Sequence, residues 1–141
     1  MKGLSLPLGM QYSNDRFRII NFTRDMSLGA GSQTIIGVGW TPKSVLILAL
    51  IGDTAEGSIG IDDLVVPRLI GTSGGGHATT KGNWEVGATS SARSIVCYGI
   101  SGLSNSIDGR FTSFNSDGGV IAWTIAGAPT GLLQCTAMFL R

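Results

Sequence analysis

Apolar and polar residues alternate with a period of two over much of this chain, and no stretch keeps apolar residues at i, i+3, i+4 and i+7 over three turns without a glycine intervening. Strands are therefore expected and helices are not. RFRIINFTR (16–24) is rich in β-branched and aromatic residues, and SQTIIGVGW (32–40) follows across the glycine turn LGAG. The corner TPK leads into SVLILALIG (44–52), apolar at both parities, which predicts a central strand buried from two sides. A short strand is expected around Ile59 and Ile61. Another is expected over LVVPRLI (64–70), where Pro67 points to an edge or a bulge.

After the glycine-rich loop GTSGGGHATTKGN (71–83), NWEVGATS (83–90) and ARSIVCYGIS (92–101) read as further strands. The last third is the plainest: Asp117-Gly118-Gly119 supplies residues that tolerate positive φ between two alternating flanks. In VIAWTIA, Val120, Ala122 and Thr124 face one way and Ile121, Trp123 and Ile125 the other, which assigns Trp123 to the core. A turn at APTG (128–131) precedes a terminal strand. Eight to ten strands with no helix between them predict an all-β chain, a single-domain antiparallel β-sandwich of jelly-roll-like type over residues 16–141. Residues 1–15 lack alternation and read as an extended N-terminal arm, apolar at Leu4, Leu6 and Leu8.

Composition changes this picture in one respect. Apolar residues make up an ordinary 43% of the 141-residue chain, but charged residues only 13%, where about 25% is usual. A folded monomer of this size exposes roughly 6,900 Å², or about one charge per 360 Å² instead of one per about 200 Å². Mean hydropathy is +0.28. Depleted charge on so apolar a domain points to a surface partly covered by other subunits. The net charge of +1, with basic residues scattered singly, argues against nucleic acid. The longest apolar run, VLILALI, is too short to cross a membrane as a helix, and the start lacks the h-region of a secretory signal. Synthesis in a cytoplasm is the expectation. Cys97 and Cys135, in apolar strand-like runs, read as small buried hydrophobes and not as a disulfide.

Candidate chemistry is thin. Ser73 sits in a G-x-S-x-G match, but the nucleophile elbow needs a strand-to-helix turn, and His77 lies four residues away with no acid to orient it. T-T-K-G places its lysine on the wrong side of the glycine for a phosphate loop. Asp53, Glu56, Asp62 and Asp63 could suggest calcium or a glycosidase pair, yet their spacing matches no EF-hand loop and acids in β-turns are usually turn-forming. No catalytic residue, metal, cofactor or small-molecule substrate is expected. Trp40, beside Pro42, and Trp84, just after the loop, are the aromatic candidates for a subunit interface, with His77 in the loop itself and Leu4, Leu6 and Leu8 in the arm.

FTRDMSLGAGSQTIIGVGWTPKSVLILA (22–49) and SFNSDGGVIAWTIAGAPTGLLQCTAMFLR (113–141) resemble a group of small β-proteins encoded by tailed bacteriophages and prophages. The shared features are the T-P-K corner, the D-G-h-x-h-x-W-like hairpin and the G-x-P-x-G turn. The resemblance covers about half the chain and implies a virion structural protein, made in the bacterial host's cytoplasm and carried in the particle. The expected role is a capsid decoration or cement protein, with partners in its own homo-oligomer and the major capsid protein. The alternative is a tail or fibre-tip module that binds host surface polysaccharide. A stand-alone glycan hydrolase is a third class, resting only on Ser73 and the carboxylates.

Overall fold

The structure, a computed structural model, describes residues 16–51, 57–65, 67–73, 83–87, 93–98 and 105–141, with 69–73, 83–87 and 98 described by backbone alone. Ten strands are present: β1 (Phe17–Asp25), β2 (Gly31–Ile35), β3 (Ser44–Ile51), β4 (Gly57–Asp62), β5 (Arg68–Ser73), β6 (Asn83–Gly87), β7 (Ile95–Tyr98), β8 (Ser106–Asn115), β9 (Gly118–Ala126) and β10 (Leu132–Leu140). Among the described residues the only helical turn is a three-residue 3₁₀ segment, Met26–Leu28, capped by Asp25. The chain is an all-β sandwich, as its alternation predicts.

Hydrogen bonding runs continuously in the order β1-β10-β3-β4-β5-β7-β8-β9-β2, with β6 paired to β5. Every pairing is antiparallel except a single parallel bridge, Ser73 to Tyr98, where the path folds over. The two layers are β1-β10-β3-β4-β5-β6 and β7-β8-β9-β2. Val45, Ile47 and Ala49 of β3 and Leu133, Cys135, Ala137 and Phe139 of β10 face Ile107 and Phe111 of β8 and Ile121 and Trp123 of β9. Phe111 meets Phe139 edge-on across the layers with ring centroids 5.7 Å apart, a geometry that contributes about 0.5–1.5 kcal/mol beyond area burial. Cys97 and Cys135 are both buried and unbridged, and burial, then the nearby Cys97 thiol, push the Cys135 thiol pKa far up.

Three elements differ from the sequence expectation. β2 stops at Ile35 because Gly37 and Gly39 take φ of 98° and 83°, so IGVGW leaves the sheet as a loop. β5 begins only after Pro67, and Leu64 adopts φ 68° in the preceding turn. The β8–β9 hairpin turns at Ser116 and Asp117, one residue earlier than the glycine pair suggests; Gly118 (φ 149°) pairs with Asn115 and passes so close to the Ile35 carbonyl that a Cβ would lie 2.1 Å from it.

The largest departure concerns β3, which is not buried from two sides. Val45, Ile47, Ala49 and Ile51 are interior, but Leu48 and Leu50 face outward and are exposed.

Two seams close the sandwich. At one, the inner face of β4 carries Ser58, Gly60 and Asp62 because the β7 backbone lies directly on it. The Val96 amide donates to Ser58 Oγ (3.1 Å), and the Ser94 hydroxyl donates to Asp62 Oδ2. Asp62 Oδ1 accepts from the Leu64 amide (2.7 Å), and Ser94 Oγ accepts from the Phe111 amide (3.0 Å). Gly60 has no room for a side chain, since a Cβ there would sit 1.6 Å from the Ser94 carbonyl oxygen. At the other seam, Gln33 substitutes for ladder bonds between the free edges of β1 and β2: its Nε2 donates to the Thr23 carbonyl (3.0 Å) and its Oε1 accepts from Trp123 Nε1 (3.1 Å). The buried Arg24 guanidinium lies 5.9 Å from the Trp123 ring centroid and donates to the Gly29 carbonyl.

Gly60→Ala should therefore cost at least about 3 kcal/mol in urea denaturation, since the clash is with backbone. Gly39→Ala, with open space around it and only a positive φ to maintain, should cost about 1–2 kcal/mol. Equal costs would show that β7 does not rest on Gly60.

Candidate functional site: an apolar outer sheet face

The carboxylates that could suggest a catalytic or metal site are engaged otherwise. Asp62 is interior with both oxygens bonded, and the exposed Asp63 accepts from the Val65 amide (2.9 Å), so this pair shapes the turn after β4. Asp53 and Glu56 lie outside the described residues. Among the described residues no group of three or more His, Cys, Asp or Glu side chains could hold a metal ion, and no helix is long and apolar enough to cross a membrane. Ser73 ends β5 with its backbone opposite Asn83 of β6, and residues 74–82 after it lie outside the described residues.

Of the aromatic candidates, Trp40 is half-buried against the core, and the Arg141 guanidinium lies over its ring at 5.9 Å from the centroid. The backbone of Trp84 stands opposite Thr72 on β6. Leu4, Leu6, Leu8 and His77 lie outside the described residues.

What the structure brings together instead is the outward face of β1, β10, β3 and β4. Strand register aligns Ile19, Met138, Leu46 and Ile61 in one row across the four strands. Asn21, Thr136, Leu48 and Ile59 form the next row, and Thr23, Gln134, Leu50 and Gly57 the one after. Phe17 and Leu140 extend the apolar band at the start of β1. Exposure is substantial across it: Leu50 56%, Ile19 53%, Ile61 43%, Ile59 41% and Leu48 39%.

These four strands hold no outward-facing charge between Phe17 and Thr23 of β1 and their partners, and the charges stand at the rim as Asp25, Asp63 and Arg68. One corner holds a shallow depression of about 620 Å³ of mixed lining, Asn21, Thr23, Gln134 and Thr136 with Phe22, Leu132 and Cys135, where the Thr136 hydroxyl donates to Asn21 Oδ1 at 2.8 Å.

Four strands spaced about 4.8 Å apart, with seven residues rising about 3.3 Å each, give roughly 450 Å² in plan. A patch of that size falls within the range of the largest patch on a monomer, about 300–600 Å², and such patches are often functional. Asn21, Thr23, Gln134 and Thr136 take about a third of it, and leaving the remaining ~300 Å² of apolar surface in water forgoes on the order of 7 kcal/mol. An uncharged apolar centre ringed by charges of both signs is the anatomy of a protein interface.

The β4 segment sharpens this point. In GSIGID the isoleucines are outside, and the serine, glycine and aspartate are inside. The strand has placed its apolar side away from its own core.

On the other layer, Asp108 is paired with Arg93 (Nε to Oδ2 2.9 Å), while its buried Oδ1 has no hydrogen-bond partner. Burial raises its pKa above the usual carboxylate value, and Arg93 offsets this only in part. It stands as one carboxylate beside one guanidinium.

No protein-family model matches the chain, and no curated protein or solved structure matches it either.

The raised pKa of Asp108 gives a pH signature. The folded state holds its proton more tightly than the unfolded chain, whose value is near 3.8, so stability falls as pH rises through that window. Relative to Asp108→Asn, which does not titrate, the parent protein should gain stability as pH drops from neutral toward 3.8. Urea midpoints of the two proteins across that range measure it; a parent that loses ground to the variant on acidification would contradict the assignment.

Proposed function

We propose that this protein is a structural subunit of a tailed-bacteriophage virion, a capsid decoration or cement protein that binds the assembled shell and stabilises it. The observation that carries the reading is the uncharged, largely apolar face on β1, β10, β3 and β4, a surface suited to being covered by another protein. A shell subunit requires rigidity and coverable surface more than an active site. The closely packed two-layer core supports the first requirement and the outer face the second. Binding selective for the assembled shell stabilises it by mass action, as any ligand of the assembled form does. The resemblance of residues 22–49 and 113–141 to small phage β-proteins supplies the particle; the major capsid protein and further copies of this chain are the proposed partners.

A tail or fibre-tip role in polysaccharide binding is the second reading. Its support is the depression at Asn21, Thr23, Gln134 and Thr136, whose amides and hydroxyls suit sugar hydroxyls. Trp40 lends it less, because Arg141 already occupies a face of that ring.

Purified particles separate the two. A decoration protein should be present in hundreds of copies per particle, and particles lacking it should lose integrity at a lower temperature while still adsorbing to cells. A few copies per particle, with lost adsorption and unchanged heat resistance, would replace the shell role with the tail role.

A further inference from the structure

We infer that the outer face of β1, β10, β3 and β4 is the contact between two copies of this chain, packed face to face about a two-fold axis. The inference rests on the assembly reading only in taking this face to be a covered one; it adds what covers it.

Three observations favour a second copy. The first is chemical. The centre of the face, Leu46, Leu48 and Leu50 with Ile59 and Ile61, carries no charge and presents few hydrogen-bonding groups, so its partner must be equally apolar and uncharged. The chain itself supplies such a surface at equal concentration, and a two-fold contact needs only that one patch be self-complementary.

The second is size. The roughly 450 Å² in plan understates the accessible area, because side chains stand out from the pleat. With the rim included, the face approaches the ~800 Å² per partner of a stable interface. A small ligand would leave most of it wet.

The third is shape and edge charge. A sheet face offers a broad surface of the kind that stacks at about 10 Å on another sheet, as the two layers inside each sandwich do. Its rim bears Arg68 on β5 and Asp63 after β4 at one end and Asp25 at the far end of β1, so a two-fold contact that brings opposite ends together sets Arg68 of one copy toward Asp25 of the other.

The consequence for the fold is that β3 becomes a strand buried from two sides after all, its second side supplied by another molecule. Each particle-bound unit would then be a four-layer stack, leaving the β7-β8-β9-β2 layer and the sandwich ends for the shell.

Sedimentation equilibrium of the full-length chain, from micromolar to a few hundred micromolar, tests this without any particle present. The expected mass is twice that of the chain. Leu50→Asp/Ile59→Asp should return it to the monomer mass and lower the melting temperature only by what association contributed, matching the parent at concentrations too dilute to dimerise, because both side chains are already outside the core. Ile36→Asp, exposed in the loop after β2, should leave the dimer intact. A monomer at every concentration, a trimer, or a dimer indifferent to the Leu50/Ile59 pair would each overturn the inference. So would a monomer that floats with phosphatidylcholine vesicles, which would make lipid the occupant. A monomer that nevertheless binds purified particles overturns this contact and leaves the shell role standing; a dimer that never joins particles does the reverse.

Discussion

A strand in a two-layer sandwich can bury only every second side chain, and that limit governs this molecule. β3 brings eight residues, SVLILALI, of which seven are apolar, to a fold that offers interior places to four of them. Val45, Ile47, Ala49 and Ile51 fill those places, and Leu46, Leu48 and Leu50 are left on the other side. Their neighbours in register, Ile59 and Ile61 on β4 and Ile19 and Met138 on β1 and β10, repeat the same excess. The result is a sheet with one dry face and one apolar face that still meets water.

The interior accepts this arrangement because β4 gives up hydrophobic burial for polar closure. Ser58, Gly60 and Asp62 receive the backbone of β7, and the Asp62–Ser94–Phe111 chain of hydrogen bonds leaves both buried carboxylate oxygens with partners. Removing one member would strand the others, which is why such networks tend to be all or nothing. At the opposite seam Gln33 bonds both Thr23 and Trp123 where the edges of β1 and β2 have no ladder partner among the described residues, and the buried Arg24 donates to the Gly29 carbonyl while its Nε has no partner. The sandwich is therefore closed at both sides by polar groups and filled in the middle by apolar ones.

Much of the fold was legible in the sequence because it depends on local alternation. β9 is the clearest case: the parity of Ile121 and Trp123 against Thr124 predicts the buried side correctly, and Trp123 lies in the core. The early end of β2 was not legible, since Gly37 and Gly39 could as well have been strand residues with small side chains; only their positive φ removes them. Nor was the orientation of β4, where hydrophobicity alone would put Ile59 and Ile61 inside. That choice is made by β7, remote in sequence, whose backbone excludes any large side chain at position 60. The candidate interface was present in the sequence as a signal, seven apolar residues at both parities in β3, but the ordinary meaning of that signal is a second layer from the same chain. Trp40 is half-buried on the core with Arg141 over its ring.

The central claim is that the outer face of β1, β10, β3 and β4 is covered when the protein is at work. Hydroxyl-radical footprinting, read residue by residue as the chain is taken from dilute solution to high concentration and into particles, tests it most directly. Leu48, Leu50 and Ile59 should lose reactivity together while Ile36, in the loop after β2, keeps it in the concentrated chain. A constant ratio between these positions in every state would contradict the account.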